Sequence, residues 1–95
     1  MSKNAEEKLG PIRRYLRAQF LGHAVEDEYH ADSSGQMFTV ERGSVLFRLR
    51  VAPEFLADHT PEEITALLQQ WNLAQALRIA GSAIVQVSNA GLGRG

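Results

Sequence analysis

The sequence predicts an α+β domain of order α-β-β-β-α-(α)-β, a mostly antiparallel sheet with helices packed on one face. Three observations carry that prediction. Residues 23–53 alternate apolar and polar side chains with a period of two, broken by two groups of turn formers. Apolar residues at helical spacing flank this block on both sides. The stretch "HTPEEI", residues 59–64, is a strong helix start.

Residues 1–10 read as a polar lead-in, and a helix is expected over 11–21. Gly10 and Pro11 open it, because proline suits the first helical position. Ile12, Leu16 and Phe20 line one face with Tyr15 at its edge, and Gly22 supplies the stop. Arg13, Arg14 and Arg17 take the outer side.

The middle block reads as a three-stranded meander. Asp32-Ser33-Ser34-Gly35 marks its first turn and Arg42-Gly43 its second. With those loops Val40 faces Val45, Phe38 faces Phe47, and Tyr29 faces Phe38. One face then carries Tyr29, Phe38, Val40, Val45, Phe47 and Leu49, a set that a one-residue slip would scramble. Asp27 is the misfit on that apolar face, which places it near an edge or a bulge. The opposite face carries Glu26, Glu28 and His30, then Met37, Thr39 and Glu41, then Leu46, Arg48 and Arg50.

Pro53 ends the third strand, and "PEFLADH" forms a short helical turn that packs Phe55 and Leu56. In the next helix Thr60 is the N-cap, Pro61 the first helical residue and Glu63 the capping-box partner. Ile64, Leu68 and Trp71 share a face with Leu67 beside them, whereas Leu73 and Leu77 point the other way in a straight helix. Either Asn72 breaks the segment and caps a second helix ending at Gly81, or one helix is apolar on two sides. The break is favoured, because Asn suits a cap better than a helix interior. "SAIVQVSN" reads as a last short strand, parallel to a neighbour if a helical crossover precedes it. The domain thus spans 11–89, and residues 90–95 read as a mobile glycine-rich tail.

A chain of 95 residues makes one domain, and its 44% hydrophobic and 22% charged residues fit a globular core. Ten basic residues against eleven acidic give a formal charge of -1, which advertises neither nucleic acid nor an anionic membrane. With no cysteine, disulfides, thiolate metal sites and cysteine nucleophiles are excluded, and a cytoplasmic setting fits. Neither a signal-peptide-like stretch nor a membrane-spanning run stands in the sequence.

Catalysis needs convergent polar groups, and the sequence offers no pattern for them. His23, His30 and His59 have no paired metal spacing, and Ser44, Ser82 and Ser88 have no nucleophile-elbow context. Asp58 and His59 adjoin in sequence only, and "GLGRG" lacks the strand-loop-helix context of a phosphate cradle. No catalytic residue, metal ligand or cofactor is assigned.

The α-β-β-β-α order across residues 11–80 resembles that of double-stranded RNA-binding domains. The chain departs from that family at "TPEEI", where a lysine-rich helix start is expected, and at "DSSGQ", in place of a glycine-proline-histidine loop. The opening helix, three strands and helix are also similar to small secretion chaperones of the αβ type. That resemblance implies a homodimer holding an unfolded partner segment.

The sequence names no specific activity. The expected role is a small non-catalytic protein-binding or adaptor module, with self-association as one mode. Partner binding falls to Arg42, Arg48 and Arg50, with Glu26 and Glu28 opposite; self-association falls to Leu73 and Leu77. The alternative is a weak nucleic-acid binder using Arg42, Arg48 and Arg50 together with Arg13, Arg14 and Arg17.

Overall fold

The computed structural model describes residues 2–30 and 35–94, with side chains over 7–28 and 35–93. Four helices cover one face of a five-stranded mixed sheet, an α+β fold in the expected order with one strand added. The elements are α1 (Ser2–Gln19), β1 (Ala24–His30), β2 (Gly35–Arg42), β3 (Val45–Val51), α2 (Pro53–Asp58), α3 (Pro61–Gln70), α4 (Leu73–Ala80), β4 (Ile84–Ser88) and β5 (Gly91–Arg94). Strands follow chain order across the sheet, with β3 and β4 parallel and every other pair antiparallel. The helices α2, α3 and α4 form the crossover that a parallel pair requires.

Helix α1 begins nine residues before the expected start, so Ser2–Gly10 is helix and not a lead-in. Leu9 explains the extension: it is buried and continues the Ile12, Leu16 and Phe20 stripe one turn upstream. Pro11 therefore lies inside the helix and costs it one backbone hydrogen bond.

Both hairpin registers differ from expectation by two residues. Asp27 pairs with Phe38, Tyr29 with Gln36, Val40 with Phe47, and Phe38 with Leu49. The second loop is Gly43-Ser44, where Gly43 supplies the positive φ of 60°. A shift of two preserves the alternation, so each strand keeps its expected faces. Val45 is the exception in burial: at the hairpin end it is exposed despite its inward parity. Of the expected first turn, Asp32, Ser33 and Ser34 lie outside the described residues, as does the Tyr29 side chain, while Gly35 opens β2.

The helical segment breaks at Asn72, as favoured, but by another mechanism. Asn72 adopts the left-handed conformation (φ 53°, ψ 57°), and its side chain makes no cap bond to the helix backbone. Its amide donates to Gln75 Oε1 instead (2.7 Å). Asn tolerates this conformation better than most residues, which lets the chain turn sharply between α3 and α4. Leu73 and Leu77 then swing into the core and are fully buried. This corrects their assignment to self-association, since neither presents surface to a second chain.

The α3 cap forms as expected, with Glu63 N–H donating to Thr60 Oγ1 (3.2 Å) and Thr60 N–H to Glu63 Oε1 (2.9 Å). Phe55 is buried in α2, and Trp71 packs partly buried against it, ring centroids 5.9 Å apart. The core runs between α1, α3 and α4 and the inward residues Phe38, Val40, Leu49, Val51, Val85 and Val87. Arg78 ties the two helix ends together: Nη2 donates to Gln19 O (3.1 Å) and the guanidinium lies over the Phe20 ring.

Residues 91–94 are strand β5, paired with β4, where a mobile tail was expected. Ser88 shapes the turn, its hydroxyl accepting from Ala90 N–H (3.2 Å), and Leu92 packs against the core. Among the described residues, no helix is long and apolar enough to cross a membrane.

Candidate functional site

The face of the sheet turned away from the helices carries two facing columns of opposite charge. They follow from period-two alternation in β1 and β3, held in register by β2 between them. Glu26 lies level with Thr39 and Arg48, and Glu28 level with Met37 and Arg50. One row further on, Ala24 lies level with Glu41 and Leu46. Two strand spacings, about 10 Å, separate the acidic column from the arginines. Between them is an open depression of about 280 Å³, lined by Glu26, Asp27, Glu28, Met37, Thr39 and Arg48.

The arginines are held, not waving in solvent. Arg48 Nη2 donates to Ser82 O (2.9 Å), fixing the side chain to the segment that leads into β4. Arg50 lays its aliphatic stem over Gly35, where an added Cβ would stand 3.2 Å from Arg50 Cγ. Gly35 thus leaves room for that side chain. Neither Arg48 Nε nor Arg50 Nε has a hydrogen-bond partner among the described residues, although both atoms are buried. Met37 is only 9% exposed although it faces away from the core. Flanked in register by Glu28 and Arg50, it is shielded as long charged side chains shield apolar neighbours.

Four of the six candidate arginines do not join this face in the expected way. Arg42 ends β2 with the parity of Phe38 and Val40, the helix side, and its guanidinium lies near Gly22. It is thereby separated from Arg48 and Arg50, which corrects its inclusion in one cluster. Arg14 and Arg17 are exposed on α1, in the layer across the sheet from Arg48 and Arg50. Arg13 is bound to Asp27, also on the helix side of the sheet.

That ion pair resolves the Asp27 misfit, and the sequence signal for it was the misfit itself. Asp27 sits in edge strand β1 opposite Phe38. Arg13 Nε and Nη2 donate to its two carboxylate oxygens (2.8 and 3.0 Å), and Gln36 Nε2 donates to Oδ2 (2.9 Å). The Arg13 hydrogen bonds hold the Asp27 carboxyl below the usual carboxylate range against the opposing effect of burial; the charge of Arg13, the Gln36 bond and the charge of Arg17 add to them.

The residues weighed for catalysis are engaged elsewhere. His59 Nδ1 bonds Phe55 O (2.8 Å), while the neighbouring Asp58 accepts from Asn89 Nδ2 (2.7 Å). His23 Nδ1 bonds Leu21 O (3.2 Å). The His30 side chain lies outside the described residues. Among the described residues, no three His, Cys, Asp or Glu side chains are grouped to hold a metal ion.

No protein-family model, curated protein or solved structure matches this chain. The two resemblances of element order rest on topology alone.

Proposed function

We propose that the chain is a small non-catalytic protein-binding module, an adaptor, whose docking surface is the charged open face of the sheet. The observation that supports this reading is the register itself. It sets Glu26 and Glu28 level with Arg48 and Arg50 across an open depression. Such a face matches a protein surface of mixed charge, which the arginines would grip through paired N–H groups. A phosphate backbone fits less well, because the acidic column would repel it and the remaining arginines lie in another layer. The cysteine-free sequence suits a reducing, cytoplasmic setting.

The test is capture of partners from native lysate, with and without nuclease, by wild type and by Arg48→Glu/Arg50→Glu. Circular dichroism first establishes that the variant is folded. Expected is a specific protein, recovered with nuclease present and lost in the variant. Recovery that disappears with nuclease, or identical recovery by both proteins, overturns the reading.

A further inference from the structure

We infer that the open face is self-complementary and that its occupant is a second copy of this chain, a deepening that rests on the docking reading above. The argument is one of symmetry. A two-fold dimer brings the same patch of both subunits together, so residue i of one meets residue j of the other and the reverse. On this face β2 is the central line of three strands, with the acids on β1 and the arginines on β3 at matching levels. Place a two-fold axis along β2, between two sheets packed face to face. The rotation keeps each residue's level along the strand and exchanges the two sides. One copy's Glu26 then comes over the other's Arg48, and Glu28 over Arg50. The second half of the interface repeats the first, giving four acid–arginine pairings.

The apolar positions match under the same operation. Leu46, 37% exposed, meets the other copy's Ala24, and Met37 and Thr39 meet their own counterparts on the axis. Glu41 also lies on β2 and faces its like. Sheets packed face to face cross at about 30°, which draws the two Glu41 side chains apart at the hairpin end. The same crossing slides each acid along the opposing arginine column by less than one same-face repeat of about 7 Å. The columns therefore stay opposed.

Three strands of about seven residues give a footprint of roughly 14 by 23 Å from strand spacing and rise. That is smaller than a standard specific interface, so the dimer is a weak, reversible, concentration-dependent one. Its pairings are rim-accessible ion pairs, and added salt weakens them.

A charge swap tests the geometry. Sedimentation equilibrium and native mass spectrometry are run on wild type, Arg48→Glu/Arg50→Glu, Glu26→Arg/Glu28→Arg, and an equimolar mixture of the two variants. Wild type is expected to dimerise with rising concentration. Each variant alone sets like charges over like and dimerises roughly tenfold or more weakly. The mixture restores all four pairings and yields a 1:1 heterodimer. If Arg48→Glu/Arg50→Glu does not fold, because Arg48 also holds Ser82 O, the exposed Glu26→Arg/Glu28→Arg arm decides alone. A wild-type chain that stays monomeric, or variants that dimerise as well as wild type, overturns the inference. A monomeric chain that still binds a purified foreign protein through Arg48 and Arg50 refutes the dimer while leaving the docking reading intact.

Discussion

The phenolic oxygen of Tyr15 accepts a hydrogen bond from the backbone N–H of Ala74, 3.0 Å away across 59 residues of chain. That N–H belongs to the first turn of α4, where helical amides have no partner within their own helix. Asn72 leaves it unserved, since its side chain bonds Gln75. A tyrosine on α1 thus does part of the work of a cap for α4.

Tyr15→Phe keeps the ring and removes only the acceptor. It leaves a buried N–H unpaired and is expected to cost about 1–3 kcal/mol in urea unfolding. Hydrogen exchange at Ala74 should accelerate by more than the global loss explains. An unchanged denaturation midpoint would show that the bond contributes nothing.

Acid sensitivity is expected to centre on Asp27. Its folded pKa is lowered, so the stabilisation is present above the unfolded value of about 4 and is lost as pH falls through the folded pKa. Asp27→Asn abolishes that slope and costs about 2 kcal/mol at neutral pH, as for a charge-assisted pair. Unfolding curves of both proteins between pH 7 and pH 2 make the comparison. Parallel pH profiles would assign the acid sensitivity to other carboxylates.

At Asn72 the conformation, and not a cap bond, sets the preference. Asn72→Gly should be tolerated or mildly stabilising, while Asn72→Ala pays about 1 kcal/mol for the left-handed backbone. The ranking reverses if the Gln75 bond dominates, and thermal melts of the two variants separate these cases.

Strand β5 predicts a cost for changes in what reads as a tail. Leu92→Ala is expected to destabilise by about 1–2 kcal/mol, below the range for a fully buried leucine because Leu92 is only partly covered. Deleting residues 91–95 should also speed hydrogen exchange in β4, which loses its neighbour on that side. A deletion with wild-type stability would show that β5 adds nothing.

The strand faces, the α3 capping box and the break before Leu73 were legible because each rests on local chemistry or on alternation. Alternation fixes which side a residue faces but not its partner, so two-residue shifts in both hairpins went unseen while Glu26, Glu28, Arg48 and Arg50 fell on the right face. Leu73 and Leu77 pointed outward only on a straight helix, and a single left-handed residue turns them inward. Nearness in sequence groups Arg42 with Arg48 and Arg50, but with the loop at Gly43-Ser44 it is the last residue of β2 and takes the parity of the other face. Strand β5 was illegible because Gly91, Leu92 and Gly93 have weak intrinsic strand preference, and pairing with β4 supplies what the sequence lacks. The long-range contacts of Tyr15 with Ala74 and Arg48 with Ser82 have no periodic signature at all.

The order in which these parts can assemble follows from the crossover. The two hairpins of β1, β2 and β3 close over short loops, whereas β4 finds β3 only across the 32 residues from Ala52 to Ala83. Docking of β4 is therefore expected late in folding: Val85→Ala and Val87→Ala should hasten unfolding while leaving the refolding rate nearly unchanged in stopped-flow traces. On a ribosome the same order is imposed by synthesis, N-terminal residues first. The charged columns of the meander then stand complete, and open to a neighbouring nascent chain, before the crossover has sealed the apolar side behind them.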